Sequence, residues 1–349
     1  MNCLKNELYS NDISRAADLI PVSKIAGKSF LITGATGLIC SCIVDMLLWI
    51  NRKYNAKILI YVAGRNAAAL EERFDIASTG NIFAVDYDAT KEIDFNFKAD
   101  FIIHGASNAS PDKYVKEPVD TMLSNFFGMH NILKYAFQTN AQKTIYISSS
   151  EVYGKTATEL PILETDYGFS DILAVRSSYT SSKRATETLC VSFAEQYGVP
   201  VSIVRPGHIY GPTATSKDNR ISSAFAMAAA RGDDLVMKSA GSQMRSYCYS
   251  VDCASAILWA ALFGENGEAY NISNKNSIIT IKQMAEKLAQ SGNVILHQTV
   301  ADAEAKKQFN PMDNSSLNSE KLEALGWKGL FDADVGLSHT VQILRELYV

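Results

Sequence analysis

Phe30-Leu31-Ile32-Thr33-Gly34-Ala35-Thr36-Gly37-Leu38-Ile39-Cys40 decides the fold. The apolar run Phe30–Thr33 reads as a buried strand, and the residues from Leu38 onward open an apolar helix. Between them, Gly34 and Gly37 permit a tight turn whose backbone N–H groups can reach a pyrophosphate, which the positive end of the helix then attracts. A Gly-x-x-Gly pair alone carries little. Its place between strand and helix makes it a dinucleotide site rather than an ordinary connection.

Outward from this turn, short apolar runs alternate with helical stretches. Strands are expected at Ile58–Val62, Ile82–Val85, Phe101–His104, Thr144–Ser148 and Val201–Val204. Helices are expected from the turn to Trp49, near Ala67–Phe74, from about Val115 to Asn140, and around Tyr179–Tyr197. That rhythm predicts an α/β chain with a doubly wound parallel sheet. Beyond Arg205 it loosens, and helices at Ser222–Arg231, Ile278–Gln290 and Ser319–Leu325 suggest a smaller unit closing over the sheet edge; a single enlarged sheet domain stays open as the alternative. The expected division is an N-terminal extension over 1–26, a sheet domain over 27–204 plus about 247–272, and a second unit over about 205–246 plus 273–349. One short helix, Ile13–Ile20, is expected in the extension, capped by Ser10 or Asp12 and followed by Pro21.

At 349 residues and 47% hydrophobic, the chain can bury a large core, which argues against disorder and a coiled coil. The net charge of −4 and the absence of a Lys/Arg run exclude the footprint of a nucleic-acid binder. The six cysteines form no Cys-x-x-Cys pair, which points to reduced thiols. The polar Met1–Ser10 lacks the apolar segment of a signal peptide, and the most apolar run, Ile43–Ile50, is interrupted by Asp45. Neither secretion nor membrane spanning is expected, and a cytoplasmic location is. His208 has no second ligand at metal-binding spacing, so no metal is expected.

Tyr179-Thr180-Ser181-Ser182-Lys183 puts a phenol and an ammonium on one helix face, where the cation is expected to lower the phenol's pKa. In chain order, Asn125, Ser149 at a strand end, Tyr179 and Lys183 resemble the Asn-Ser-Tyr-Lys set of the short-chain dehydrogenase/reductase superfamily. The resemblance implies a Rossmann-like sheet with a smaller, mostly C-terminal α/β substrate domain. It also implies NAD held by Gly34, Thr36, Gly37, Leu38, Ile39, Asp86, Tyr179 and Lys183, with Cys40 replacing the motif's last glycine. Where NAD-binding relatives carry a ribose-binding Asp, this chain reads Gly64-Arg65. Arg65 could accept a 2′-phosphate or lie over the adenine or in solvent, so NADP stays open beside NAD.

Further segments resemble the nucleotide-sugar epimerase/dehydratase family: His104–Pro111, Ser148–Gly154, Glu164–Tyr167, Arg205–Pro212 and Gly241–Arg245. Among its branches the chain is most similar to the UDP-glucuronate decarboxylases, and next to the dTDP-glucose 4,6-dehydratases and 4-epimerases. The tripeptide Ser149-Ser150-Glu151 discriminates. The dehydratases place an Asp acid where Ser150 stands, because they expel a hydroxyl as water; a decarboxylase needs none there. The resemblance implies transient oxidation at C4 of the sugar, with Ser150 and Glu151 on the C5 side and Ser110, Arg176, His208 and Arg245 at the substrate. It departs at His208, where many relatives have Asn, and at Asn310-Pro311-Met312-Asp313, which lacks an arginine that several relatives direct at the phosphates. A homodimer through the long helix and the Tyr179 helix is implied too. Some relatives are non-catalytic nucleotide sensors, a reading that the intact Asn125, Ser149, Tyr179 and Lys183 oppose.

Overall fold

The parallel run expected from the sequence is present as a seven-stranded sheet with strands fed by crossover helices. It is seen in a computed structural model that describes residues 2–107, 111–157, 161–215, 218–299 and 312–348. In chain order its elements begin α1 (Glu7–Ala17), β1 (Ser29–Thr33), α2 (Leu38–Tyr54), β2 (Leu59–Gly64), α3 (Ala67–Phe74), β3 (Ile82–Asp86) and β4 (Phe101–His104). They continue through α4 (Pro111–Lys116), α5 (Pro118–Thr139), β5 (Lys143–Ile147), α6 (Ser177–Tyr197) and β6 (Val201–Pro206). Next come β7 (His208–Tyr210), α7 (Ile221–Arg231), β8 (Leu235–Met237), β9 (Met244–Tyr249), α8 (Ser250–Phe263) and β10 (Ala269–Ile272). The chain closes with β11 (Ile278–Thr280), α9 (Ile281–Gly292), β12 (Leu296–Gln298), β13 (Asn314–Ser315), α10 (Glu320–Ala324) and α11 (Ala333–Tyr348).

The large sheet runs β10-β6-β5-β4-β1-β2-β3, with every pairing parallel. Strand order reverses between β1 and β4, which makes the crevice beyond their C-terminal ends the place for a ligand. β1, β4 and β5 are buried throughout, as strands covered on both faces must be. One face packs against α2 and α8, on which α1 lies in turn, and the other against α5 and α6. Leu189 and Phe193 of α6 pack partly buried against that second face. The C-terminal part adds a small sheet in which β9 pairs with β7, β11 and β13, and a layer in which α7, α9 and α11 pack together. All six cysteines are free and buried.

Three expectations need correction. The N-terminal helix starts at Glu7 rather than Ile13, because Asn6 accepts the capping bond from Tyr9 N at 2.9 Å. Ser10 Oγ instead donates to Leu4 O, and Asp12 is committed to Tyr249 and His339. The expected helix Val115–Asn140 is two helices, since Pro118 disfavours helical backbone at Glu117 and opens α5 as its first residue. Ile278–Thr280 is a strand paired with β9, and α9 begins after it behind a Thr280–Gln283 capping box. Helix α11 was not foreseen at all. The N-terminal segment is also tied in: Tyr9 is fully buried and donates to Asp45 Oδ2 at 2.8 Å, where Arg73 completes the carboxylate's pairing.

Candidate active site

The glycine turn sits at the reversal between β1 and β4. Gly34 has φ +68°, and a Cβ there would meet Gly105 O at 2.8 Å and Ala106 N at 2.9 Å. Only glycine suits such a position. Thr33 Oγ1 lies 2.8 Å from His104 Nδ1 and accepts from Ala106 N at 3.3 Å, so the two loops are fastened side by side. Gly37 is the N-cap of α2 without a side-chain cap, leaving the first N–H groups of that helix for a ligand. Thr36, Leu38 and Ile39 flank it, with Leu38 buried. A Cβ on Gly105 would collide with Cys40 Sγ, so the sulfur that replaces a third glycine is accommodated by the bare face of Gly105. Around the crevice, His104 Nε2 and Ser107 Oγ are buried without a partner among the described residues. A glycine cradle, a bare helix N-terminus and orphaned polar atoms together fit a dinucleotide. Gly64 and Asp86 lie opposite each other at the ends of β2 and β3, with Arg65 and Asp86 exposed.

The second half of the site comes from β5 and α6. Ser149 caps the turn after β5, its Oγ accepting from Glu151 N at 3.1 Å, and Ser150 is buried beside it. Tyr179 and Lys183 lie one turn apart on α6, and the Lys183 Nζ is 5.7 Å from the Tyr179 ring centre. Lys183 is buried, donates to Ile147 O at 2.8 Å and sits over the Tyr146 ring at 4.7 Å. Asn125 of α5 donates to Ser182 Oγ at 3.0 Å, and its Oδ1 has no partner among the described residues.

The acidity expected of Tyr179 is contradicted. Burial pushes its phenol up to about 12, against the opposing hydrogen bond with Ser149 and the more distant charge of Arg220. Burial also lowers Lys183 to about 7, with Glu187 opposing. With its ammonium disfavoured by burial and turned to Ile147 O, Lys183 does not offset the phenol's desolvation.

Toward the C-terminal part lie the cations. Both terminal nitrogens of Arg176 donate to Glu151, at 3.2 and 3.4 Å. Arg245 on β9 is 2% exposed and donates to Met244 O at 2.8 Å, with no carboxylate paired to it among the described residues. Burial drives its pKa down from the usual arginine value. His208 on β7 is held near 3 by burial and then by Arg245 and Arg220, and its Nδ1 has no partner among the described residues. Ser110 and the pair Asn310-Pro311 lie outside the described residues.

Two residues that sequence reasoning missed belong here. Tyr114 of α4 stacks on Tyr179, rings 5.0 Å apart at 20°. Arg220 is paired with Asp218 and close enough to act on both Tyr179 and His208. One signal for Arg220 existed: it is the N-cap of α7, a place where the helix dipole disfavours a cation. Among the described residues no His/Cys/Asp/Glu cluster could hold a metal, and no helix is long and apolar enough to cross a membrane.

Known proteins give the same placement. The chain is 27% identical to UDP-glucuronic acid decarboxylase 1 of Xenopus tropicalis, over 91% of this chain and 72% of that protein. It is 26% identical to dTDP-D-glucose 4,6-dehydratase of Bos taurus, over 95% of this chain and 92% of that one. In fold it superposes on UDP-glucose 4-epimerase of Thermotoga maritima with a TM-score of 0.78 and 23% identity, covering 92% of this chain and all of that one. With residues 30–273 matching its pattern, the chain belongs to the NAD dependent epimerase/dehydratase family.

Proposed function

We propose that this enzyme remodels the sugar of a nucleotide-sugar by transient oxidation at C4, and that its reaction is decarboxylation of UDP-glucuronate. Tyr179, once its phenol has ionised against the burial that raises it, takes the proton of the 4-hydroxyl, which Ser149 holds by hydrogen bond; Lys183 and Asn125 support that transfer. NAD, when bound, supplies the reversible hydride acceptor at C4. With a keto group at C4, the carboxylate at C6 is that of a β-keto acid. The C5–C6 bond breaks, its electron pair moves toward the C4 oxygen, carbon dioxide leaves, C5 takes a proton drawn from water, and the C4 carbonyl is reduced back to the hydroxyl as Tyr179 returns its proton to the oxygen. Arg245, buried with Glu151 and Asp313 acting on it but with no carboxylate hydrogen-bonded to it among the described residues, and neutral His208 receive the anionic part of the substrate.

One observation carries the choice of reaction: Ser149-Ser150-Glu151 offers a carboxylate at 151 and only a buried hydroxyl at 150. A serine is a poor general acid for expelling water, whereas carbon dioxide leaves without one. The reading includes a homodimer through α5 and α6, supported by the exposed stripe Val119, Met122, Leu123 and Phe127 on α5. Light scattering at micromolar concentration checks it.

The test of the reaction is mass spectrometry after incubation with UDP-glucuronate, dTDP-glucose and UDP-glucose. Loss of carbon dioxide from the first is expected. Loss of water from the second, or an unchanged mass with altered stereochemistry in the third, replaces decarboxylation with dehydration or epimerisation. Dinucleotide released on denaturing the purified enzyme identifies NAD or, through Arg65, NADP.

A further inference from the structure

Building on the reading of Tyr179 as proton carrier, we propose that Tyr114 and Arg176 are positioning residues for it: Tyr114 clamps the phenol ring from one face, and Arg176 offsets the carboxylate of Glu151 beside it. The break at Pro118 lets α4 turn away from α5, and Ser178 Oγ then fastens α4 to α6 by donating to Tyr114 O at 3.1 Å. This lays the Tyr114 ring on Tyr179, with 3% of Tyr114 and 7% of Tyr179 exposed. The guanidinium of Arg176 is 5.8 Å from the centre of the Tyr114 ring while both its terminal nitrogens hold Glu151. Glu151, Arg176, Tyr114 and Tyr179 therefore form one connected chain of contacts.

Electrostatics gives that chain a consequence beyond packing. Charged and titratable groups reach Tyr179 from several sides: Lys183 from α6, Glu151 from the turn after β5, Arg220 from the start of α7, and Arg176 with Tyr114 above. Burial and Glu151 both raise the phenol, while Ser149 and Arg220 lower it. Removing the stacked ring admits water and should ease ionisation. Removing Arg176 leaves Glu151 unbalanced and should hinder it. The two substitutions therefore move the same titration in opposite directions, which loss of packing alone does not do.

The experiment uses the holoenzyme with whichever of UDP-glucuronate, dTDP-glucose and UDP-glucose it converts, where a bound oxidised nicotinamide would add a positive charge that brings the phenol's ionisation below the value of about 12 set by burial, following kcat and KM from pH 6 to 11. Tyr114→Phe keeps the stack and is expected within about twofold of wild type. Tyr114→Leu is expected to lower kcat about tenfold with KM within about threefold, and to move the limb of phenol ionisation down by about half a pH unit. Arg176→Gln is expected to move that limb up. Limb position does not depend on how much of a variant is folded. Limbs unmoved in both variants, with Tyr179→Phe inactive, overturn this proposal alone. Turnover surviving Tyr179→Phe, or no conversion of any of the three substrates, overturns the proton-carrier reading and this proposal together.

Discussion

Two buried arginines divide the molecule. Arg205, at the end of β6, makes five hydrogen bonds: two to Glu187, and one each to Tyr153 Oη, Glu164 O and Tyr167 Oη. Arg245, as deeply buried at 2% exposure, makes one among the described residues, to a backbone carbonyl. A guanidinium has five donors, so the first is saturated by its own chain and the second is not. A charge that the fold satisfies in full is architecture, here joining β6, α6 and the 164–167 segment. A buried charge that its nearest carboxylates, here Glu151 and Asp313, reach without a hydrogen bond keeps donors for an anion that something else brings.

The largest effect separates these two roles. Arg205→Met strands Glu187 as an unpaired buried carboxylate and should cost about 3–5 kcal/mol, read as a lowered denaturation midpoint. Arg245→Met removes a charge to which no carboxylate is hydrogen-bonded among the described residues, so the midpoint should fall by far less. Its loss should appear in affinity for UDP by calorimetry, weaker by about 2 kcal/mol. If Arg245→Met destabilises as much as Arg205→Met, the contrast is gone, and Arg245 has a counterion that the fold supplies.

A smaller effect sharpens the saturated side. Asp45 is held by Tyr9 and by Arg73, so Tyr9→Phe removes one hydrogen bond and leaves the ion pair. About 1 kcal/mol should be lost, measured by urea denaturation. A loss of several kcal/mol would mean that the N-terminal helix detaches as a unit.

The saturated half of the molecule is also the half that was legible in the chain. Strands β1 to β6 announce themselves as apolar runs, and Gly34 is forced by backbone contacts that any strand-turn-helix of this kind must make. Tyr179 and Lys183 were found by spacing. Their acidities were not, because spacing fixes the distance between two groups and says nothing of the desolvation both suffer. The small sheet around β9 escaped notice since three-residue strands carry too little alternation to register. Tyr114 was invisible for a different reason: its partner is 65 residues away in sequence, and only the kink at Pro118 brings the two rings together. Arg220, paired with Asp218 two residues back, reads as an ordinary polar loop.

The smallest predicted effect bears on the unsaturated side and concerns pH. His208 is held near 3, first by burial and then by Arg245 and Arg220, whereas an unfolded histidine titrates near 6.5. Between those values the unfolded chain binds the extra proton, so His208 subtracts stability as pH falls through about 6.5 and has no effect well above it. From pH 7 to pH 6 that loss is about 0.7 kcal/mol for one group. His104, also held near 3 by burial and Lys183, contributes a similar share, so the informative quantity is a difference. His208→Asn should lose about 0.7 kcal/mol less than wild type over that interval. Saturating UDP should shrink the difference, because an anion beside Arg245 and Arg220 removes part of what keeps the imidazole neutral. Equal losses in wild type and His208→Asn would mean that the imidazole is already charged, and so that Arg245, like Arg220 beside Asp218, is offset by a counter-charge of the chain's own.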